Sequence, residues 1–372
     1  MMPYVSIVKC PDYEQNNINE AIEATFNLLG GISQFVKPGM RVALKPNLVM
    51  RKHPDEAVTT HPELVRAVGK AIKAAGGIPF IVESPGGPYT PQALKSIYSG
   101  CGMDRISNES DIGLNYDVTE IEVPFPEGKI LKRITIIKPL MNADLIINLP
   151  KFKTHGMMLY TGAVKNMFGA IPGVLKAEFH LKMQNYDDFA NALIDIYLCT
   201  KPHLNIMDAV VAMEGQGPAS GDKRHLGLIM ASEDGFDLDL AALGIVGAKY
   251  SLINMIRCAV ERGLCKDDHT KISYIGVRPA NISIDNFHMP QFDALKSVQF
   301  TNNRIAGYFI EKLRPSPVFD YSICIGCGIC AQNCPAKVIE MKIPVTAHKT
   351  HNQNNHQNEC EDREDMGTVL LS

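Results

Sequence analysis

The stretch Arg41-Val42-Ala43-Leu44-Lys45-Pro46-Asn47, then His61-Pro62, then Ile78-Pro79-Phe80-Ile81-Val82-Glu83-Ser84-Pro85-Gly86-Gly87 decides the fold. Residues 41–44 read as a strand that ends in a polar turn. Proline at the first helical position opens a helix after His61, because its missing N–H has no intrahelical partner there in any case. Leu64, Val65, Val68 and Ile72 recur at helical spacing, and Gly76-Gly77 stops the helix. Residues 78–82 are apolar enough for a strand covered on both faces. A strand, a helix and a second buried strand make one crossover unit of a parallel sheet.

The same alternation extends in both directions. Residues 4–10 alternate as a short strand, and Ile18, Ala21, Ile22, Phe26 and Leu29 mark a helix over 14–30 that ends at Gly30-Gly31. Downstream, 134–137, 145–149, 204–207, 226–230 and 272–277 read as strands, and 186–198, 236–246 and 252–260 as helices. The expected fold class is therefore α/β: a mostly parallel sheet with flanking helices, followed by a small C-terminal module. No G-x-G-x-x-G opens a helix, so a dinucleotide-binding unit is not supported.

The most informative body segment is Asn148-Leu149-Pro150-Lys151-Phe152-Lys153-Thr154-His155-Gly156, continued by Tyr160-Thr161-Gly162-Ala163-Val164-Lys165-Asn166-Met167-Phe168-Gly169. Lys151, Lys153 and His155 alternate, so an extended backbone points all of them to one side. Thr161 is expected to cap the next helix and leave free N–H groups at its start. Lys165 and Asn166 follow on that helix, and Lys45 ends an earlier strand. Ligands of open α/β sheets bind at the carboxyl ends of strands, so Lys45, Lys151, Lys153, His155, Lys165 and Asn166 are candidates for holding a small anion. A solvated basic loop is the competing reading. Asp208 and Glu214 are read as an acid–base or metal-ligating pair, or equally as a helix cap and a surface charge.

The chain has 372 residues, 45% hydrophobic and 21% charged, with a net charge of −3. That is the composition of an ordinary soluble protein, and nothing in it favours nucleic-acid binding. No apolar run is long enough to cross a bilayer, and the N-terminus lacks a basic and apolar leader, so a cytoplasmic location is expected. Cys10, Cys101, Cys199, Cys258 and Cys265 are scattered without framework spacing and read as reduced thiols.

Cys324, Cys327, Cys330 and Cys334 stand at C-x2-C-x2-C-x3-C and are followed by Pro335. All four lie within one short run, whereas zinc sites usually split their ligands into two distant pairs. Gly326 and Gly328 let the backbone approach inorganic sulfide closely. The run resembles a bacterial-type ferredoxin module over about residues 318–343 and implies a 4Fe-4S cluster held by Cys324, Cys327 and Cys330, with Cys334 or, on another reading, Cys360 as the fourth ligand. Arg314-Pro315-Ser316-Pro317 reads as the linker behind a body spanning 1–313. Residues 346–372 are mostly polar and read as a disordered tail. In that tail His348, His351, His356 and Cys360 are metal ligands on one reading and solvated residues on the other.

Residues 44–48, Thr60-His61-Pro62-Glu63, 83–87, 149–173 and Asn205-Ile206-Met207-Asp208-Ala209-Val210 together resemble domain-of-unknown-function family 362. The resemblance covers about residues 4–310. It implies an iron–sulfur protein with a body similar in architecture to nickel-dependent lactate racemases. Members usually carry a second cysteine run, where this chain has only Cys360, so an altered C-terminus or a lineage-specific loss is expected. The function expected is ferredoxin-type electron transfer to a redox partner protein, with a small anionic ligand on the body. The alternatives are a redox enzyme acting on an anionic substrate and a binding protein that handles a metal or cofactor.

Overall fold

The computed structural model describes residues 4–290, except Gln184, Ser283 and the side chains of His180 and Leu181, together with the backbone strands Ile339–Lys342 and Thr368–Leu371. The chain divides into two compact units, Met1–Asp293 and Ala294–Ser372. The cysteine run and most of the expected tail lie outside the described residues. Thr368–Leu371, within that tail, pairs antiparallel with Ile339–Lys342.

The strands of the first unit are β1 (Tyr4–Lys9), β2 (Arg41–Pro46), β3 (Ile78–Ile81), β4 (Gly113–Leu114), β5 (Glu120–Pro124), β6 (Arg133–Ile137), β7 (Leu145–Leu149), β8 (Lys151–His155), β9 (Leu159–Thr161), β10 (Leu204–Glu214), β11 (Asp222–Ser232) and β12 (Ser273–Gly276). Ten of them form one sheet in the order β12-β1-β11-β10-β7-β2-β3-β4, with β8 beside β10 and β9 beside β8. From β10 to β4 the main path is parallel. β11 runs antiparallel to both β10 and β1, which makes the sheet mixed. β5 and β6 form a separate antiparallel hairpin.

Both faces of the parallel strands are covered. Val42 and Leu44 of β2 and Leu145, Ile147 and Leu149 of β7 belong to one buried cluster, whereas Ala43 and Ile146 belong to the other. That alternation is the two-residue period of a strand sandwiched between helices. The helices Gln15–Leu28, Pro62–Ala74 and Met103–Ser110 pack on the first face. Tyr186–Thr200, Gly235–Ile245 and Asn254–Glu261 pack on the second. His61 caps its helix, its ring nitrogen accepting from Glu63 N–H at 3.3 Å, and proline follows at the first helical position.

One expectation is corrected here. The sequence pattern predicts a strand that ends at Met207. Instead β10 passes through Asp208 to Glu214 and pairs with β11, with an irregularity in register between Ala209 and Val211. Val210 and Val211 carry the strand propensity of β-branched residues.

The topology sets the site. From β2 the chain moves outward to β3 and β4, then returns to β7 on the other side of β2. The carboxyl ends of β2 and β7 therefore flank a switch point, where open α/β sheets leave a crevice.

Candidate functional site

A cavity of about 350 Å³ is lined by Asn47, Lys153, His155, Lys165, Asn166 and Lys176, with Glu83 and Ser84 in the same wall. Its floor is an ion pair. Lys45, from the end of β2, is fully buried, and its Nζ lies 2.7 Å from Glu83 Oε2. The same amino group donates to the carbonyls of Pro46 at 3.0 Å and Asn166 at 3.1 Å. Burial pushes the Lys45 amine down, and Glu83 opposes the shift. Lys45 thus lies beneath the cavity and cancels Glu83, the only wall carboxylate among the described residues. Gly169 is required against this pair, because a Cβ there would overlap Glu83 Oε1 and Lys45 Nζ.

Asparagines stitch the strand ends together. Asn47 Nδ2 donates to Asn166 Oδ1 at 2.9 Å, and Asn166 Nδ2 donates to Asn148 Oδ1 at 2.7 Å. Asn148 in turn donates to Asn205 Oδ1 at 2.8 Å. These four residues lie on different elements and hold the switch point rigid.

Among the described residues, Lys153, Lys165 and Lys176 form no ion pair with a carboxylate. Lys153, near the middle of β8, is buried and donates to Asn47 Oδ1 at 2.8 Å and to the Val58 carbonyl at 2.7 Å. Burial pushes its amine well below the ordinary lysine value, and repulsion from Lys165 and Lys151 adds to that. Lys176, on the helix Gly173–Lys182, is half-buried and donates to the carbonyls of Ser84 and Pro85. Burial brings its amine down to about 7, with Glu83 opposing and Lys45 and Lys165 adding. Lys165 is half-buried and has no hydrogen bond or ion pair among the described residues; its Nζ lies 5.9 Å from the centre of the Phe168 ring. Burial brings it to about 8. His155 Nδ1 accepts from the N–H groups of Met157 and Met158, both at 3.2 Å, which fixes its ring at the rim.

Lys151 goes elsewhere. Its Nζ lies 2.9 Å from Asp208 Oδ2 and 2.9 Å from the Tyr13 hydroxyl. Tyr13 donates to Asp208 Oδ1 at 2.6 Å, and the His61 backbone N–H donates to Oδ2 at 2.9 Å. The Tyr13 ring stacks on His61 at 3.7 Å between centroids. Alternation along β8 placed Lys151 beside Lys153, but the pairing of β8 with β10 is irregular. Lys151 faces Asp208 and Lys153 faces Met213, so the two lysines part.

The helix start is also not as expected. Asp239, fully buried, accepts from the N–H groups of Ala163 at 2.6 Å and Val164 at 3.0 Å, and from the Tyr160 hydroxyl at 3.1 Å. Those amides are not available to a ligand. Burial holds the Asp239 carboxyl up at about 7. Glu214 interacts with Arg224 and His288 and does not meet Asp208. Among the described residues, no group of three or more His, Cys, Asp or Glu side chains is placed to hold a metal ion.

Sequence reasoning missed Lys176, Asp239 and Tyr13. The Pro172-Gly173 pair, a helix restart signal, was the one local clue to Lys176.

Residues 42–244 match the family model described as Domain of unknown function (DUF362), and residues 317–340 match that of the 4Fe-4S binding domain. The chain belongs to the DUF362 family. The thylakoid-associated protein sll1697 of Synechocystis sp. is 31% identical over 298 residues, covering 78% of this chain and 89% of that protein. The lactate racemase apoprotein from Thermoanaerobacterium thermosaccharolyticum shares 15% identity at a TM-score of 0.41, over 65% of this chain and 56% of that one. This DUF362 protein is an iron–sulfur protein of the 4Fe-4S type, and Cys324, Cys327, Cys330 and Cys334 all lie within the matched module. No helix among the described residues is long and apolar enough to cross a membrane.

Proposed function

We propose that this DUF362 protein is an electron-transfer protein whose α/β body binds a small anion in the lysine-lined cavity. One observation carries the reading. Lys153, Lys165 and Lys176 line a cavity whose single wall carboxylate among the described residues, Glu83, is already matched by Lys45 beneath it. Buried cations are normally paired, and these have only carbonyl, amide or ring neighbours. A carboxylate or phosphate would complete them with charge-assisted hydrogen bonds. When bound, the 4Fe-4S cluster supplies one-electron transfer to a redox partner protein. Cytoplasmic residence goes with this reading, because the five cysteines of the described body are unpaired thiols.

A second reading, a redox enzyme acting on the bound anion, draws on Lys176. An amine brought to about 7 by burial is matched to proton transfer at neutral pH. Turnover of the anion coupled to cluster reduction would favour it.

Anaerobically purified protein tests the proposal by native mass spectrometry with iron and sulfide assays. A small anion retained by the parent should be lost from a Lys153→Met/Lys176→Met double variant, and Cys327→Ala should lose iron and sulfide. Parent protein that neither retains nor binds any carboxylate or phosphate would contradict the cavity reading. Unchanged iron in Cys327→Ala would contradict the assigned thiol.

A further inference from the structure

The lysines of the cavity are chemically unequal, and the inequality points to the class of ligand. Lys45 is held by Glu83, Lys153 by Asn47 and Val58, and Lys176 by the carbonyls of Ser84 and Pro85. Lys165 alone among them has no hydrogen-bond partner in the described residues, and it reaches the cavity wall beside the ring of Phe168. Its amine can therefore approach a ligand atom to bonding distance without breaking a native contact. The cations around it hold a negative charge close by, and burial disfavours its own protonation. Lys153 and Lys176 are both near enough to feel its charge. A desolvated lysine beside other cations is an activated nucleophile toward carbonyl carbon.

Resting on the anion-cavity reading, we propose that the ligand is a small oxo acid and that Lys165 forms an imine with its carbonyl group. The neutral amine adds to the carbonyl carbon. A C–N bond forms, the carbonyl C–O bond breaks, and the oxygen leaves as water carrying both amine protons. No electrons are exchanged, so no oxidant or reductant is needed. Lys153 and Lys176 hold the carboxylate. A cavity of about 350 Å³ has room for a small oxo acid. Burial brings Lys165 to about 8, which leaves an appreciable neutral fraction at neutral pH.

The test uses the full chain with two matched probes, pyruvate and propionate, the second lacking only the oxo group. Pyruvate with sodium cyanoborohydride should leave a reduced adduct on Lys165, formed roughly tenfold or more faster than on the exposed Lys9 or Lys95. Propionate should slow that labelling by competition. Lys165→Arg keeps the charge but cannot form the imine, so it should still bind both acids and give no cavity adduct. Lys165→Met removes no native partner and serves as a second folded control. If propionate binds and pyruvate labels Lys165 no faster than surface lysines, the imine is overturned while the anion cavity stands. Adduct on Lys176 in place of Lys165 overturns it equally. If neither acid binds, both readings fall together.

Discussion

Lys151 and Lys153 lie two residues apart on β8 and have opposite surroundings. Lys151 faces Asp208, Tyr13 and the His61 backbone, a closed network in which the buried cation meets a buried carboxylate. Lys153 faces an asparagine and a backbone carbonyl, with Lys165 nearby and no carboxylate of its own. The first arrangement is complete without a ligand; the second calls for one. Residue type does not distinguish them, since both are lysines pushed down by burial. What distinguishes them is whether a counter-charge was built in, and that is the difference between a structural cation and a binding cation.

The comparison breaks most visibly at Asp208. Replacing it with Ala leaves Lys151 buried without its partner, which should cost about 3–5 kcal/mol in urea unfolding. Lys153→Met removes no counter-charge but leaves the acceptors of Asn47 and Val58 unpaired, and should cost less, about 1–3 kcal/mol. Equal losses in the two variants would show that the lysines are not different in kind.

The next effect is on binding. Lys153→Met or Lys176→Met should weaken a bound anion by about 1.5–3 kcal/mol, the range for a charge-assisted hydrogen bond, whereas Lys151→Met should leave its affinity unchanged. Calorimetric titration of the three variants separates the regions directly. Affinity lost equally in all three would merge them.

Gly169→Ala sharpens the account at the cavity floor. Its Cβ would overlap the Lys45–Glu83 pair, and overpacking of this kind costs about 1–3 kcal/mol in thermal or urea unfolding. A variant as stable as the parent would mean that the floor yields freely.

The pH dependence has opposite signs for folding and for binding. Burial holds Lys176 at about 7 and Lys165 at about 8, below the 10.5 of a free lysine. Between those values the unfolded chain keeps protons that the folded chain has released. The empty protein should therefore gain stability as pH rises from about 7 toward about 10.5. An anion prefers the protonated amines, so its affinity should fall over pH 6–9, by at most about 1.4 kcal/mol per pH unit for each proton taken up. Affinity flat across that range would mean these amines do not touch the ligand.

Local features were legible in the chain, and features set by distant pairing were not. The β2–helix–β3 unit could be read because proline, glycine and apolar spacing act within a few residues. So could the cysteine run, whose chemistry is carried by its own spacing. Lys153, His155, Lys165 and Asn166 line one cavity, and a single short segment contains them. The departure of Lys151 depends on the irregular register of β8 against β10, which no local pattern encodes. The Asp239 cap comes from another helix and displaces the expectation of free amides after Thr161. Lys45 could be recognised as a strand-end cation, but its removal from the ligand by Glu83 depends on how β2 and β3 pack.

The most direct test of the central claim is calorimetric titration of pyruvate into the parent protein and into Lys153→Met at pH 6. The account predicts saturable binding at one site in the parent, weakened by about 10-fold to 150-fold in the variant, with both proteins equally folded. Identical isotherms for the two proteins, or no saturable binding in the parent, would contradict it.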